Sequence, residues 1–291
     1  MSAHVFDRFV GIDWSGAHPA RGIAVAFCDR GRGGPRTMAP RCGSRWTRTA
    51  VLEWLLGELA SSRRLLIGFD FAFSLGAGRG TFLAGADATA FDLWALVDRV
   101  AGDGPDYLGL RFATGPEYGG AFWRRGRQPV GFDPRRRRTE IACHRAGFGQ
   151  PETPFKLIGA KQVGKAGLAG MRVLHALRRQ AGSALAIWPF EPIANDSSVC
   201  VEIYPRLFLR RAGWNNRKLR RWDDLDRCLA RFGSRSAFRR GELSDHDGDA
   251  MIAAAGLRAL AGQPDVWHAP EGSSEAMQRE GWIFGVPAVA L

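Results

Sequence analysis

Five acids and one histidine occupy positions from which they could do chemistry. Asp13 ends the apolar run Phe9-Val10-Gly11-Ile12, ahead of a Ser15-Gly16 turn, and Asp70 closes a second apolar run at 64–69. Glu202 sits within a third apolar run, 198–203, while Asp249 lies in the stretch 244–257, preceded by Asp245 and His246. One acid in or after a core strand is ordinarily explained by a turn, an edge or a salt bridge. Three on separate strands, with a fourth on a core-facing helix, call for a common explanation. Carboxylates brought together repel, so one must hold a proton unless cations neutralise the group. Oxygen donors with at most one imidazole suit Mg²⁺ or Mn²⁺. Two such ions about 3.5–4 Å apart activate water and stabilise the leaving oxygen in phosphodiester cleavage.

The elements that must position these groups follow from periodicity and punctuation. Ser244 is a good N-cap and Asp247 completes a box-like start, so a helix begins there. The acidic first turn complements the helix dipole, which accounts for Asp247. Asp249 shares its face with Ile252, Ala253, Gly256 and Leu260, the side that presses on a core, and small Ala253 and Gly256 allow close approach to a sheet. A carboxylate aimed that way needs a partner. Upstream, 9–16 and 21–28 read as a strand hairpin, 29–45 as loop with at most a short third strand, and 64–71 as a buried central strand. Thr49 caps a helix over 51–59, and helices are expected at 86–100 and 167–180. Residues 184–189 and 198–205 are strand candidates ended by Pro, followed by Arg-rich helical segments at 205–212 and 216–231. The tail 280–286 returns as an extended segment. The result is one α/β domain over 1–291, carrying a large helical and irregular, Arg-rich insertion at about 75–165.

The formal charge of +12 over 291 residues favours a polyanionic partner, nucleic acid above all. Arg124 and Arg125, and Arg135 and Arg136, lie beside Trp123 and Phe132, a mixture suited to phosphate contacts and base stacking. Lys161 and Gln162, between Gly159 and Gly164, place an ammonium and an amide where a phosphate would meet a helix start. Further basic clusters lie at 217–221 and 235–240. Five cysteines without CxxC spacing argue against a disulfide framework or a zinc ribbon, and Cys143-His144 reads as structural. No apolar run approaches a membrane span, and residues 1–10 lack the apolar block of a secretory signal, so the expectation is a cytoplasmic protein with no membrane partner.

Gly11-Ile12-Asp13 before a hairpin, Asp70 ending a strand and His246-x-x-Asp249-Ala250 opening the last long helix resemble the ribonuclease H-like superfamily. The His-x-x-Asp-Ala spacing is similar to that of Holliday-junction-resolvase-like members. Residues 11–16, 67–73, 159–164, 202–205 and 280–286 together resemble a widespread family of nucleases of that superfamily catalogued as a domain of unknown function. The resemblance implies a five-stranded mixed sheet flanked by helices, with divalent metals at acids on the first and fourth strands and the last helix. Carried over, these are Asp13, Asp70 and Asp249, with Glu202, His246 or Asp245 as further ligands. Asp13 would bridge two ions, Asp70 and Asp249 would each complete one shell, and Glu202 or Asp245 would position a ligand or water. His246 would orient the attacking water or take its proton. Junction-type cleavage would favour a dimer.

Two other readings compete. Gly11-Ile12-Asp13-x-Ser15-Gly16 before a hairpin also occurs where actin-like phosphotransferases cradle phosphates, but that fold needs a second copy of the motif, and none is present. A catalytically silent scaffold that binds nucleic acid or a protein would use the basic face alone, and gains nothing from clustered negative charge.

Overall fold

The computed structural model describes residues 4–76, 88–132, 134–159, 162–215, 218–268 and 274–287. Among them, in chain order, are β1 (Arg8–Asp13), β2 (Ala24–Asp29), β3 (Arg36–Met38), α1 (Arg48–Leu59), β4 (Leu65–Phe69), α2 (Ala90–Ala101), α3 (Leu110–Thr114), α4 (Arg138–Arg145) and α5 (Gly164–Ala181). They continue with β5 (Leu185–Ile187), β6 (Ser198–Glu202), α6 (Pro205–Arg211), α7 (Trp222–Arg231), α8 (Asp245–Leu260) and α9 (Ser274–Glu280). The strands form one mixed sheet in the order β3-β2-β1-β4-β6-β5. β1, β2 and β3 pair antiparallel, whereas β1, β4, β6 and β5 run parallel. The sheet thus has six strands, not the five that the resemblance implies, because the short β3 and β5 both pair at its edges.

Two apolar layers cover the sheet. Val10, Ile12, Val25, Ile67, Phe69 and Ile187 pack with α1, α2 and α5, while Phe9, Ala24, Ala26, Leu66, Val199 and Val201 pack with α6, α7 and α8. The strands are therefore covered on both sides, which is why 64–69 reads as a continuous apolar run. The helix over 51–59 starts earlier than expected: Thr47 is the cap, its hydroxyl accepting from the Ala50 N–H. Thr49 instead turns to Asp106, whose Oδ1 accepts from its N–H at 2.8 Å and its hydroxyl at 3.1 Å. The tail joins the sheet margin as a parallel bridge from Ile283 to Glu202.

Ser244 caps α8 by accepting from the Asp247 N–H, as its position indicates. The helix is apolar almost all round, with Ala250 to Leu257 buried. Its approach to the sheet depends on Gly11. A Cβ there would lie 2.3 Å from the Ala250 carbonyl oxygen and 2.9 Å from the Ala253 Cβ. Gly256 has a different task from the one its spacing suggests, since it faces α6, where a Cβ would lie 2.2 Å from the Phe208 ring. Gly11→Ala should lower stability by about 1–3 kcal/mol or more, because two backbones would have to part. Gly33→Ala, at a position with nothing within 4 Å of an added Cβ, should be close to neutral. Urea denaturation of both variants reads the difference.

Candidate active site

Parallel pairing brings the C-terminal ends of β1 and β4 side by side, with Ile12 opposite Phe69. Asp13 is the last residue of β1, and Asp70 follows β4, its N–H donating to the Ile12 carbonyl at 3.0 Å. Side chains alternate along a strand. Because Ile12 and Phe69 face the α1–α2–α5 layer, Asp13 and Asp70 face α8. Asp249 sits in the second turn of that helix, with His246 one turn before it. Asp70 and Asp13 share a hydrogen bond, and Asp249 lies within electrostatic reach of both. Asp13 is buried, whereas Asp70 and Asp249 remain partly exposed.

His246 Nδ1 lies 2.5 Å from Asp13 Oδ2, so Asp13 accepts from an Nδ1–H tautomer and Nε2 is left to the solvent side. Gly22, at φ +77°, passes beside that outer edge, and a Cβ there would lie 2.7 Å from Nε2. The turn after Asp13 is held by fully buried Arg48, whose Nη1 donates to the Ser15 and Ala17 carbonyls at 2.7 and 3.1 Å.

Burial and mutual repulsion set the charges. Burial, then Asp13, Asp249 and Glu202, push the Asp70 carboxyl well above the ordinary range. Burial and Asp13 raise Asp249 to about 7 against the pull of Lys218. Asp13 is raised by burial, opposed by His246, Lys218 and the Trp14 N–H. The hydrogen bond to Asp13 raises His246. The three aspartates supply carboxylate oxygen only, the donor set that Mg²⁺ or Mn²⁺ takes. Among the described residues, no three His, Cys, Asp or Glu side chains are already drawn together as a metal cage.

Glu202 reaches this cluster only electrostatically, through Asp70. It pairs with Phe69 in register and so faces the opposite side of the sheet from Asp13 and Asp70. Both its oxygens are engaged: Arg137 Nη2 donates to Oε1 at 2.5 Å, Arg137 Nη1 to Oε2 at 2.8 Å, and the Phe73 N–H to Oε2 at 2.9 Å. Arg137 also binds Glu140 Oε1 at 2.9 Å and the Glu280 carbonyl at 2.9 Å. The network is buried and ties α4, β6 and the tail together. As a metal ligand or catalytic group, the reading of Glu202 is therefore corrected to that of an anchor.

Asp245 turns away to Lys218, 2.9 Å from its Oδ2, and to Arg220 at 3.8 Å. Arg124, Arg125 and Arg135 are exposed. Arg136 donates to the Pro151 carbonyl at 2.8 Å and lies 3.7 Å from Glu152. Lys161 lies outside the described residues. Gln162 is exposed at the rim of a 650 Å³ cleft that Asp70 also lines. Lys218 was read only as a member of the basic cluster 217–221, while Arg48, Gly22 and the Arg137 network went unseen in the sequence. Of these, only the Arg137 network left a signal there, the i,i+3 spacing of Arg137 and Glu140.

Two outcomes follow from these charges. Asp249 binds a proton more tightly folded than unfolded, so in chelator its contribution to stability is complete below about pH 4 and is lost as pH rises through about 7. Asp249→Asn should therefore gain on the wild type between pH 4 and pH 8 by up to about 4 kcal/mol in urea titrations. Parallel curves would mean that neither burial nor Asp13 raises Asp249. Arg137→Leu should cost about 3–5 kcal/mol, since it strands buried carboxylates, and the same titration at one pH measures it.

No protein-family model, no curated protein and no solved structure matches the chain, so the meaning of this site rests on its own residues.

Proposed function

We propose that this protein is a divalent-metal-dependent nuclease of the ribonuclease H-like kind, hydrolysing phosphodiesters in DNA or RNA. The observation that carries this reading is the meeting of Asp13, Asp70 and Asp249 at the C-terminal ends of β1 and β4, where their repulsion is not neutralised. A structural role alone would pair these acids with arginine, as Glu202 is paired. A binding face for phosphate would not concentrate negative charge. The antiparallel β1–β2–β3 unit followed by parallel β4 also supports the superfamily resemblance.

The oxygens of Asp13, Asp70 and Asp249 fit Mg²⁺ or Mn²⁺ and would hold one ion or two. The bound metal would supply activation of water and charge stabilisation at the leaving oxygen. The chain's own residues do the rest. Gly11 and the alanines of α8 fix how near Asp249 comes to Asp13. Asp13 orients the imidazole of His246 through Nδ1, leaving Nε2 to take a proton from water or to return one to the leaving oxygen. Gly22 keeps that edge clear. Arg48 holds the turn that carries Asp13 into place. The net charge of +12 supports a nucleic-acid partner.

Labelled single-stranded, duplex and branched DNA and RNA, incubated with Mn²⁺, Mg²⁺ or EDTA, test the reading. Cleavage should require metal and fall about 100-fold or more in both Asp13→Asn and Asp249→Asn. Cleavage that survives both substitutions rejects this site. Tight binding without any cleavage would favour the silent scaffold.

A further inference from the structure

Asp245 and Lys218 stand beside the acid cluster, and the proposed chemistry uses neither. Asp245 opens α8 one helical turn before Asp249, so the two carboxylates share a helix face, with Cβ atoms about 5–6 Å apart. Acids so placed repel, and Asp245 is among the groups that raise Asp249. Lys218 reaches this face from outside the helix. Its neighbour Leu219 is 1% exposed and seats on α8 at Gly248, where a Cβ would lie 3.4 Å from the Leu219 Cβ. That seat, at the α8 residue just before Asp249, fixes the origin of the lysine stem.

The ammonium therefore has two carboxylates in range on one face, and it sits on the outer one. Lys218 Nζ lies 2.9 Å from Asp245 Oδ2, with the lysine side chain 57% exposed. Among the described residues its ion pair is with Asp245, not with Asp13, Asp70 or Asp249, which it reaches at most through space. Arg220 lies 3.8 Å from the other oxygen of Asp245, so both oxygens draw positive charge outward. An ammonium on a flexible four-carbon stem is a mobile point charge. One turn along α8 would carry it from Asp245 to Asp249. There it would neutralise the aspartates as Arg137 neutralises Glu202, and a metal ion would have to expel it.

We propose that Asp245 is a tether: it holds the Lys218 ammonium outside the aspartate cluster and so leaves Asp13, Asp70 and Asp249 to an exchangeable divalent cation. Asp245 then sets the affinity for metal without touching it. The metal as occupant rests on the nuclease reading; the placement of Lys218 by Asp245 does not. A tether differs from its two alternatives in how Asp245 and Lys218 depend on each other. The loss of a direct metal ligand is not repaired by removing a lysine. Two charges acting only from a distance contribute independently. A tether couples them, because Lys218 competes with metal only once Asp245 has let it go.

Calorimetric titration with Mn²⁺ of the wild type, Asp245→Asn, Lys218→Met and the double variant closes a double-mutant cycle on this point. Asp245→Asn should weaken Mn²⁺ binding about fivefold or more. Lys218→Met should tighten it about fivefold more in the Asp245→Asn background than in the wild type. Equal effects of Lys218→Met in the two backgrounds would overturn the tether and make Asp245 a ligand or a distant charge. The same four proteins in EDTA give a readout without metal. In urea denaturation at pH 8, Lys218→Met should lower the midpoint further in the Asp245→Asn background than in the wild type, because only there does the ammonium neutralise the aspartates. Equal shifts in EDTA would also overturn the tether. Unequal shifts in EDTA with no Mn²⁺ uptake by any of the four would remove the metal centre and keep the tether; Mn²⁺ uptake with equal shifts would do the reverse.

Discussion

Gly11 has no side chain, and α8 occupies the room that a Cβ would take. The helix lies on β1 at backbone distance, so Asp249 and His246 descend onto Asp13 instead of standing a side chain's width away. A larger residue at 11 would lift the whole helix, because α8 is buried nearly all round and has no soft face on which to tilt. Gly256 serves the same helix on its other side, accepting the Phe208 ring. The helix is thus fixed between sheet and α6 by two missing side chains, and the geometry of the acids is a consequence.

The opposite boundary of the site is set by hydrogen bonds. Arg48 reaches from the first residue of α1 to the carbonyls of Ser15 and Ala17, holding the turn that follows Asp13. Arg137 ties Glu202, Glu140 and the tail behind the strand ends. These guanidiniums are buried and spent on structure. The positive charge of these two side chains, which looks available in the sequence, is therefore unavailable to a ligand. The run at 135–138 illustrates it: Arg135 and Arg138 are exposed, while Arg137 between them is 1% exposed.

Asp13, Asp70 and Asp249 were legible because each breaks a pattern that its neighbours establish, an apolar run in two cases and an apolar helix face in the third. The sheet's core strands were legible for the same reason. Glu202 also breaks a pattern, but phase matters as well as presence. Val199 and Val201 pack under α6–α8 while Cys200 packs with α1, α2 and α5, so Glu202 belongs to the face of Cys200. That phase is set by tertiary packing, and an unbroken apolar run does not reveal it. Thr47 and Thr49 present an equal choice of cap that only Asp106, far along the chain, decides. The strands β3 and β5 are three residues each, too short for periodicity to fix.

The protein handles buried acid in two opposed ways within one strand end. Glu202 and Glu140 share one guanidinium whose donors meet their oxygens, although burial and Glu202 still push the Glu140 carboxyl up to about 7. Among the described residues, Asp13, Asp70 and Asp249 are given no such partner. Their nearest cations are an imidazole, exposed and shared through one nitrogen, and Lys218, whose ammonium is held by Asp245. In the absence of another cation the cluster must hold protons, as the raised Asp70 and Asp249 carboxyls require. A fold able to bury Arg137 beside Glu202 had the means to place an arginine beside Asp70 as well. Leaving the aspartates unneutralised costs stability, a cost that the metal of the proposed function would offset by taking the protons' place.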